Sequence, residues 1–211
     1  MLYHTASQLL QTDFTLAEET NEMIPQITEV LDLFDGHAHT EDHFVLPAVE
    51  MVQPNAANLF EEEHVQDHAL ANRMRALLNM FHHAVSSEEK NELGSAIRLA
   101  FTEFLVFNLQ HMAKEECGLN KILWQHYTDE LLLGITQKIL ANVPPDLHPK
   151  YNTWMMRGLS NPEITAWLKN IRNLAPDFVF STMLQLAQKE LNAHRWGIVQ
   201  EEITDGALLA S

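Results

Sequence analysis

One helical stripe constrains this chain more than any other feature, because it is apolar and ionisable at once. Apolar residues recur at Ile27, Val30, Phe34, Val45 and Ala48, in steps of three, four or a short multiple of them. His37 and Glu41 continue the same line. A helix that points an imidazole and a carboxylate toward its core must find them partners there. A bound metal is the simplest partner for both.

Two later stretches repeat the arrangement. Phe60, His64, Ala71, Met74, Leu78 and Phe81 form one stripe, with His68 four residues after His64. Ile97, Phe101, Phe104, Asn108, His111, Glu115, Leu119 and Ile122 form another. Three helices therefore each carry an i, i+4 pair of metal-ligand types: His37/Glu41, His64/His68 and His111/Glu115. Residues four apart lie on one side of a helix, so both can reach one centre. Glu116 is a further carboxylate candidate.

The remaining sequence favours an all-α fold. The chain has 211 residues, enough for one domain or one domain with an appendage, and only seven Gly. A helix is expected over 2–11. Thr15-Leu16-Ala17-Glu18 reads as a capping box opening a second helix that runs to about Met51, with Pro25 and Pro47 kinking it or trimming its ends. A third helix is expected from about Leu59, and a second capping box, Ser86-Ser87-Glu88-Glu89, opens the fourth. Another helix is expected over Asp129–Asn142. Pro144-Pro145 closes this first part, so the expected domains are 1–143, a four-helix bundle with a short first helix, and 144–211, a helical extension packing on it. There Asn161-Pro162-Glu163 reads as a helix N-terminus, Pro176 starts a further helix, and the last carries Trp196 and Val199.

The pairs also agree in height. Short loops impose an antiparallel up-down order. His37 stands 21 residues after Leu16, His64 stands 21 before Val85, and His111 stands 24 after Ser87. At about 1.5 Å per residue these levels differ by less than roughly one turn. Imidazole nitrogens with carboxylates suit iron or manganese, and zinc less specifically. A ferritin-like site would need Glu-x-x-His on two helices. Glu61-x-x-His64 supplies one, while Asn108 stands three before His111, which disfavours that version.

These residues resemble the hemerythrin-like (HHE cation-binding) family over about residues 1–125. His37-x-x-x-Glu41, His64-x-x-x-His68 and His111-x-x-x-Glu115-Glu116 follow its order and spacing. The phrases Glu41-Asp42-His43-Phe44-Val45-Leu46-Pro47 and Glu115-Glu116-Cys117-Gly118-Leu119 look like its usual continuations. The resemblance implies an antiparallel up-down four-helix bundle around a dinuclear non-haem iron site, with Mn or Zn as alternatives. Its metal ligands would be His37, Glu41, His64, His68, His111 and Glu115. Family members often use a single His on the third helix, which leaves His68 open. They also carry a His on the first helix. Here the only one is His4, which lies opposite the apolar stripe. The first helix is short, roughly 15 Å against about 50 Å for the second. The chain therefore reads as beginning within a longer first helix, with an open or incomplete site.

Three functions follow as expectations. The first is binding or sensing of a small diatomic ligand, O2 or NO, or storage of iron, because Phe34, Phe60, Phe101 and Phe104 offer hydrocarbon walls without a proton donor. The second is a diiron enzyme that reduces O2, NO or peroxide, or donates iron for cluster repair. The third is a metal-free helical protein whose Trp-rich tail docks a partner. Non-catalytic binding is favoured over turnover. A formal charge of −16 disfavours nucleic acid and anionic membranes as partners. The sequence has no apolar run long enough for a transmembrane helix and reads as lacking a signal peptide. With Cys117 as the single cysteine, a reducing, cytoplasmic setting is expected. A homodimer is left open. His39 and His43 are read as outward-facing, Cys117 as a buried thiol, and Met74, Met80, Met112, Met155 and Met156 as core filler.

Overall fold

The computed structural model describes residues 1–208, with side chains to residue 204. The end of the C-terminal extension, residues 209–211, lies outside the described residues. Among the described residues the chain is all-helical, without strands. It divides into two compact units, Met1–Val143 and Pro144–Ser211. No described helix is long and apolar enough to cross a membrane.

The first unit opens with α1 (Leu2–Gln11), which buries Leu2, Thr5 and Leu9. Gln26 donates from Nε2 to Thr5 Oγ1 at 2.9 Å and to Gln8 Oε1 at 2.6 Å, which sets α1 beside the first half of the next helix. Arg98 closes the C-terminal end of α1 by donating to the carbonyls of Leu9 and Thr12. Its guanidinium also lies 5.0 Å from the ring of Phe14. Phe14 fits beneath it only because residue 94 is glycine, where a Cβ would stand 2.4 Å from the Phe14 ring.

The second helix, α2 (Ala17–Thr40), does not start with the expected capping box. Its N-cap is Leu16, and no side chain caps it. Asp13 instead takes Thr15, accepting from its backbone N at 2.9 Å and from its hydroxyl at 2.7 Å. This local turn competes with the cap for the same hydroxyl. The helix runs through Pro25 and passes into one wide π-turn, Glu41–Val45, before resuming as α3 (Leu46–Val52). Within the π-turn the N–H of Leu46 bonds the carbonyl of Glu41, five residues back. The widening comes directly before Pro47, which has no N–H to offer residue 43. Asn55, at φ 68°, makes the following turn, with its N–H on the Glu50 carboxylate.

Next come α4 (Asn58–His83) and α5 (Ser87–Cys117), which pack along each other. Ser86 caps α5 by accepting from the Glu89 N–H at 3.1 Å. Helix α1 packs on α2 and α5, and α2 packs on α4. Gly118 breaks the last stretch into α5 and α6 (Leu119–His126), which packs on α3. Helix α7 (Asp129–Asn142) lies against the π-turn and buries none of its residues.

The apolar interior of this unit comes in two clusters. The larger includes Leu9, Ile27, Phe34, Ala71, Met74, Ile97, Phe101 and Phe104. The smaller includes Leu46, Val49, Phe60, Leu119 and Leu123. In each of three helical lines a polar segment separates the two: residues 37–41 between Phe34 and Leu46, His64 between Phe60 and Ala71, and 108–115 between Phe104 and Leu119.

The second unit holds α8 (His148–Gly158), α9 (Asn161–Leu174), α10 (Asp177–Glu190) and α11 (Ala193–Leu208). Its core is Met156, Ile164, Leu168, Met183, Ala187, Leu191, Val199 and Ile203. The cap of α9 falls one residue earlier than the Asn161 expected, at Ser160, which forms a capping box with Glu163. Met74 and Met156 are fully buried core residues, whereas Met80, Met112 and Met155 are exposed.

Candidate metal centre

Between the two apolar clusters the structure brings together His37 and Glu41 from the α2 line, His64 from α4, and His111 and Glu115 from α5. One ligand atom from each of Glu41, His64, His111 and Glu115 lies within 4.8 Å of every other, and all four residues are buried. His37 Nε2 joins them, 3.5 Å from Glu41 Oε1 and 3.8 Å from Glu115 Oε2. Across the cluster His64 Nε2 is 3.2 Å from Glu41 Oε2, and His111 Nε2 is 2.6 Å from Glu115 Oε1.

The second ring nitrogens explain why these atoms point inward. His64 Nδ1 meets Asp42 Oδ1 at 2.6 Å, and His111 Nδ1 meets Glu63 Oε2 at 2.9 Å. A carboxylate on Nδ1 fixes the proton there and turns a bare Nε2 lone pair to the centre, the arrangement that orients metal-binding histidines. The Glu63 carboxylate is held in turn by Lys114. Five inward atoms are buried with no hydrogen-bond partner: Nε2 of His37, His64 and His111, Oε2 of Glu41 and Oε1 of Glu115. Buried polar atoms are rarely left so, and five on one point indicate a shared partner. Three imidazole nitrogens and two carboxylates are the donor set of a first-row transition metal, so the residues fit a metal ion.

Charge reinforces the reading. Burial opposes the charged form of His111, but the Glu115 and Glu63 carboxylates beside its two ring nitrogens outweigh it and raise its pKa from 6.5 to about 9. His37 and His64 are likewise raised against the effect of burial, by Glu115 and by Glu41 with Asp42 respectively. The Glu115 carboxyl is depressed despite its burial, chiefly by His111 and His37. A cation therefore has a place here, whether a proton or a metal.

His68 does not join the cluster. Its side chain is 46% exposed, and its Nδ1 faces Asp35 at 3.3 Å. The i, i+4 rule puts it on the same side as His64, but Asp35, which also binds Arg75, draws it to the surface. Glu116 and Cys117 are exposed, so the expected buried thiol is a surface one. His39 and His43 face outward with rings 4.0 Å apart. His4 is exposed as well.

Of the expected hydrocarbon walls, Phe34 lies 6.2 Å from the His37 ring and Phe60 lies 6.0 Å from the His111 ring. Phe104 backs Phe34 at 5.4 Å, and Phe101 lies one layer further, 6.3 Å from Phe104. Phe107, not anticipated, stacks on His111 at 6.1 Å. Sequence reasoning also missed Asp42 and Glu63, although each is adjacent in sequence to a ligand. It missed a further polar layer too. Asp67, one helical turn past His64, accepts from Asn108 Nδ2 at 2.7 Å, one turn before His111. Both are buried, and desolvation raises the Asp67 pKa.

Compared with protein-family models, with curated proteins and with solved structures, the chain matches none.

Proposed function

We propose that this chain is a hemerythrin-like protein, an antiparallel up-down four-helix bundle of α1, α2, α4 and α5 around a dinuclear non-haem iron centre that binds or senses a small diatomic ligand. The observation that carries the reading is the set of five buried, unpartnered donor atoms, two of them on histidines whose other nitrogen rests on a carboxylate. His37, Glu41, His64, His111 and Glu115 would hold the metal, with the two carboxylates shared. When bound, iron supplies electrons and an open coordination position for O2 or NO. The protein's own residues do the rest. Asp42 and Glu63 orient two imidazoles, Phe60 and Phe107 pack against the ring of His111, and Phe34 packs against that of His37.

Elemental analysis of protein purified without chelator tests the proposal, together with absorption spectra before and after exposure to air. About two irons per chain and a near-ultraviolet band that changes with air are expected. A protein that takes up no transition metal would leave a metal-free helical bundle.

Asp67 supports a second reading, a diiron enzyme that reduces O2, NO or peroxide. Its buried carboxyl, with a pKa raised by desolvation, stands one turn from His64 and is a proton donor that hydrocarbon walls alone lack. Steady consumption of ligand by the iron-loaded protein, lost in Asp67→Asn, would favour this reading. Reversible binding without consumption would favour the first.

A further inference from the structure

We infer that His39 and His43 form a separate cation site on the outer surface of the π-turn, which takes zinc, copper or nickel through two imidazole nitrogens. The site shares no residue with the buried cluster.

The two residues are four apart and lie on one side of their helical line. Both are exposed, and their ring centroids stand 4.0 Å apart with 36° between the ring planes. Nδ1 of His43 lies 2.7 Å from the carbonyl oxygen of His39. A carbonyl only accepts, so the proton is on Nδ1 and Nε2 carries a bare lone pair. The backbone thus does for His43 what the Asp42 carboxylate does for His64. Among the described residues no hydrogen bond holds the His39 ring, which leaves it free to turn a nitrogen toward the same point. A cation about 2.0–2.1 Å from one nitrogen of each ring fits this spacing after small ring rotations.

The donor set selects the ion. Paired imidazoles suit zinc, copper and nickel, whereas magnesium and calcium take oxygen ligands. Among the described residues no third His, Cys, Asp or Glu completes the group. Asp42 is adjacent in sequence, but its Oδ1 is on His64. Water or a small donor from solution therefore fills the remaining positions. Another exposed pair, His82 and His83, lacks this geometry. Its residues are consecutive, with rings 5.3 Å apart and 88° between their planes. Consecutive helical residues do not face each other, so their nitrogens do not converge.

The location gives the site a consequence. His39 lies in the last turn of α2 and His43 within the π-turn, so the pair brackets Glu41 and Asp42. One of these enters the buried cluster and the other holds His64. An ion across His39 and His43 clamps the wide turn that carries both carboxylates.

Calorimetric titration of the chelator-treated full chain with Zn²⁺ tests the site, with the wild type beside His39→Ala and His43→Ala. Both residues are exposed, so the variants should fold, as circular dichroism would verify. The wild type should bind one Zn²⁺ more than either variant. Losing one arm of the chelate should weaken binding at this site about 100-fold or more. Amide hydrogen exchange over residues 41–46 should be slower in the Zn²⁺-loaded wild type than in Zn²⁺-loaded His39→Ala. His82→Ala should match the wild type in both measurements. Equal stoichiometry in the wild type and both variants would overturn the site, and equal exchange would overturn the clamp. Ions in the buried cluster count alike in all the proteins, so a buried cluster that binds nothing would sink the proposed function and leave this difference intact. Nitrogen NMR of the imidazoles needs no variant to be decisive: Zn²⁺ should shift Nε2 of His43 together with a ring nitrogen of His39, and rings that do not respond would overturn the inference.

Discussion

Consider the metal-free protein taken from pH of about 6 to about 9. His111 binds its proton more tightly in the folded chain than in the unfolded one, with a pKa of about 9 against 6.5. A group of this kind stabilises the fold fully below its unfolded pKa and loses that contribution as pH rises through the folded value. The metal-free fold should therefore weaken between roughly pH 6.5 and 9. At about 1.4 kcal/mol per pH unit, the His111 shift corresponds to roughly 3 kcal/mol. That is a large share of an ordinary domain's 5–15 kcal/mol or so. His37 and His64, also raised, act in the same direction. The depressed Glu115 carboxyl acts at the other end: its contribution is full above about pH 4.5 and is lost progressively as the pH falls below that. Urea denaturation of chelator-treated protein at the two pH values reads the effect. With a slope of about 1–3 kcal/mol per molar urea, the midpoint should fall by about 1 M or more at the higher pH. Glu115→Gln, which removes the carboxylate facing His111 Nε2, should flatten the dependence. A midpoint that is unchanged or higher at pH 9 would refute the argument. Metal uptake should run the opposite way, tightening over the same window, because the metal takes the lone pair that the proton vacates.

Other outcomes follow from single side chains. Glu63→Gln removes the charged acceptor on His111 Nδ1 and should weaken metal binding about 10–100-fold in a chelator competition, with the fold intact. His68→Ala should leave metal stoichiometry and affinity unchanged, since that imidazole pairs with Asp35; loss of a metal equivalent would restore it to the ligand set. Gly94→Ala places a methyl group 2.4 Å from the Phe14 ring. The displacement of a buried ring should cost about 1–3 kcal/mol. This exceeds the helix propensity gained, about 1 kcal/mol, so thermal denaturation should come a few degrees lower, with metal content unchanged.

Periodicity carried the helices. The α1 and α7 boundaries coincide with the apolar runs and turn residues that suggested them, because nothing else competes for those segments. Misplacements occur where a side chain had two partners to choose from. Thr15 could cap α2 or bond Asp13, and the nearer carboxylate took it. Asn161 could cap α9, but Ser160 stands exactly three residues before Glu163 and closes a reciprocal box. The π-turn at Glu41–Val45 was visible only as Pro47. A proline announces a lost hydrogen bond, but not whether the helix breaks, kinks or widens.

The candidate ligands were legible because i, i+4 spacing survives in sequence, and His68 shows where that signal ends. Spacing says which side of a helix a residue occupies, not which neighbour it meets on that side. The orienting carboxylates lie beyond reach for the same reason, and their placement has a logic that only the packing reveals. The α2 line gives Glu41 to the centre, and its next residue, Asp42, holds His64 of α4. Helix α4 gives His64 to the centre, and the residue before it, Glu63, holds His111 of α5. Adjacent helical residues point about 100° apart, so one faces the centre while the other faces the neighbouring helix. The α2 and α4 lines thus each supply one residue to the centre and the support for the next line's histidine. In sequence Glu63 is one member of the run Glu61-Glu62-Glu63, which reads as an acidic first turn. Burial between His111 and Lys114 sets it apart from the other two. Removing Asp42 or Glu63 should therefore act on the histidine of the following helix, 22 or 48 residues away in sequence, and leave its own helix's ligand in place.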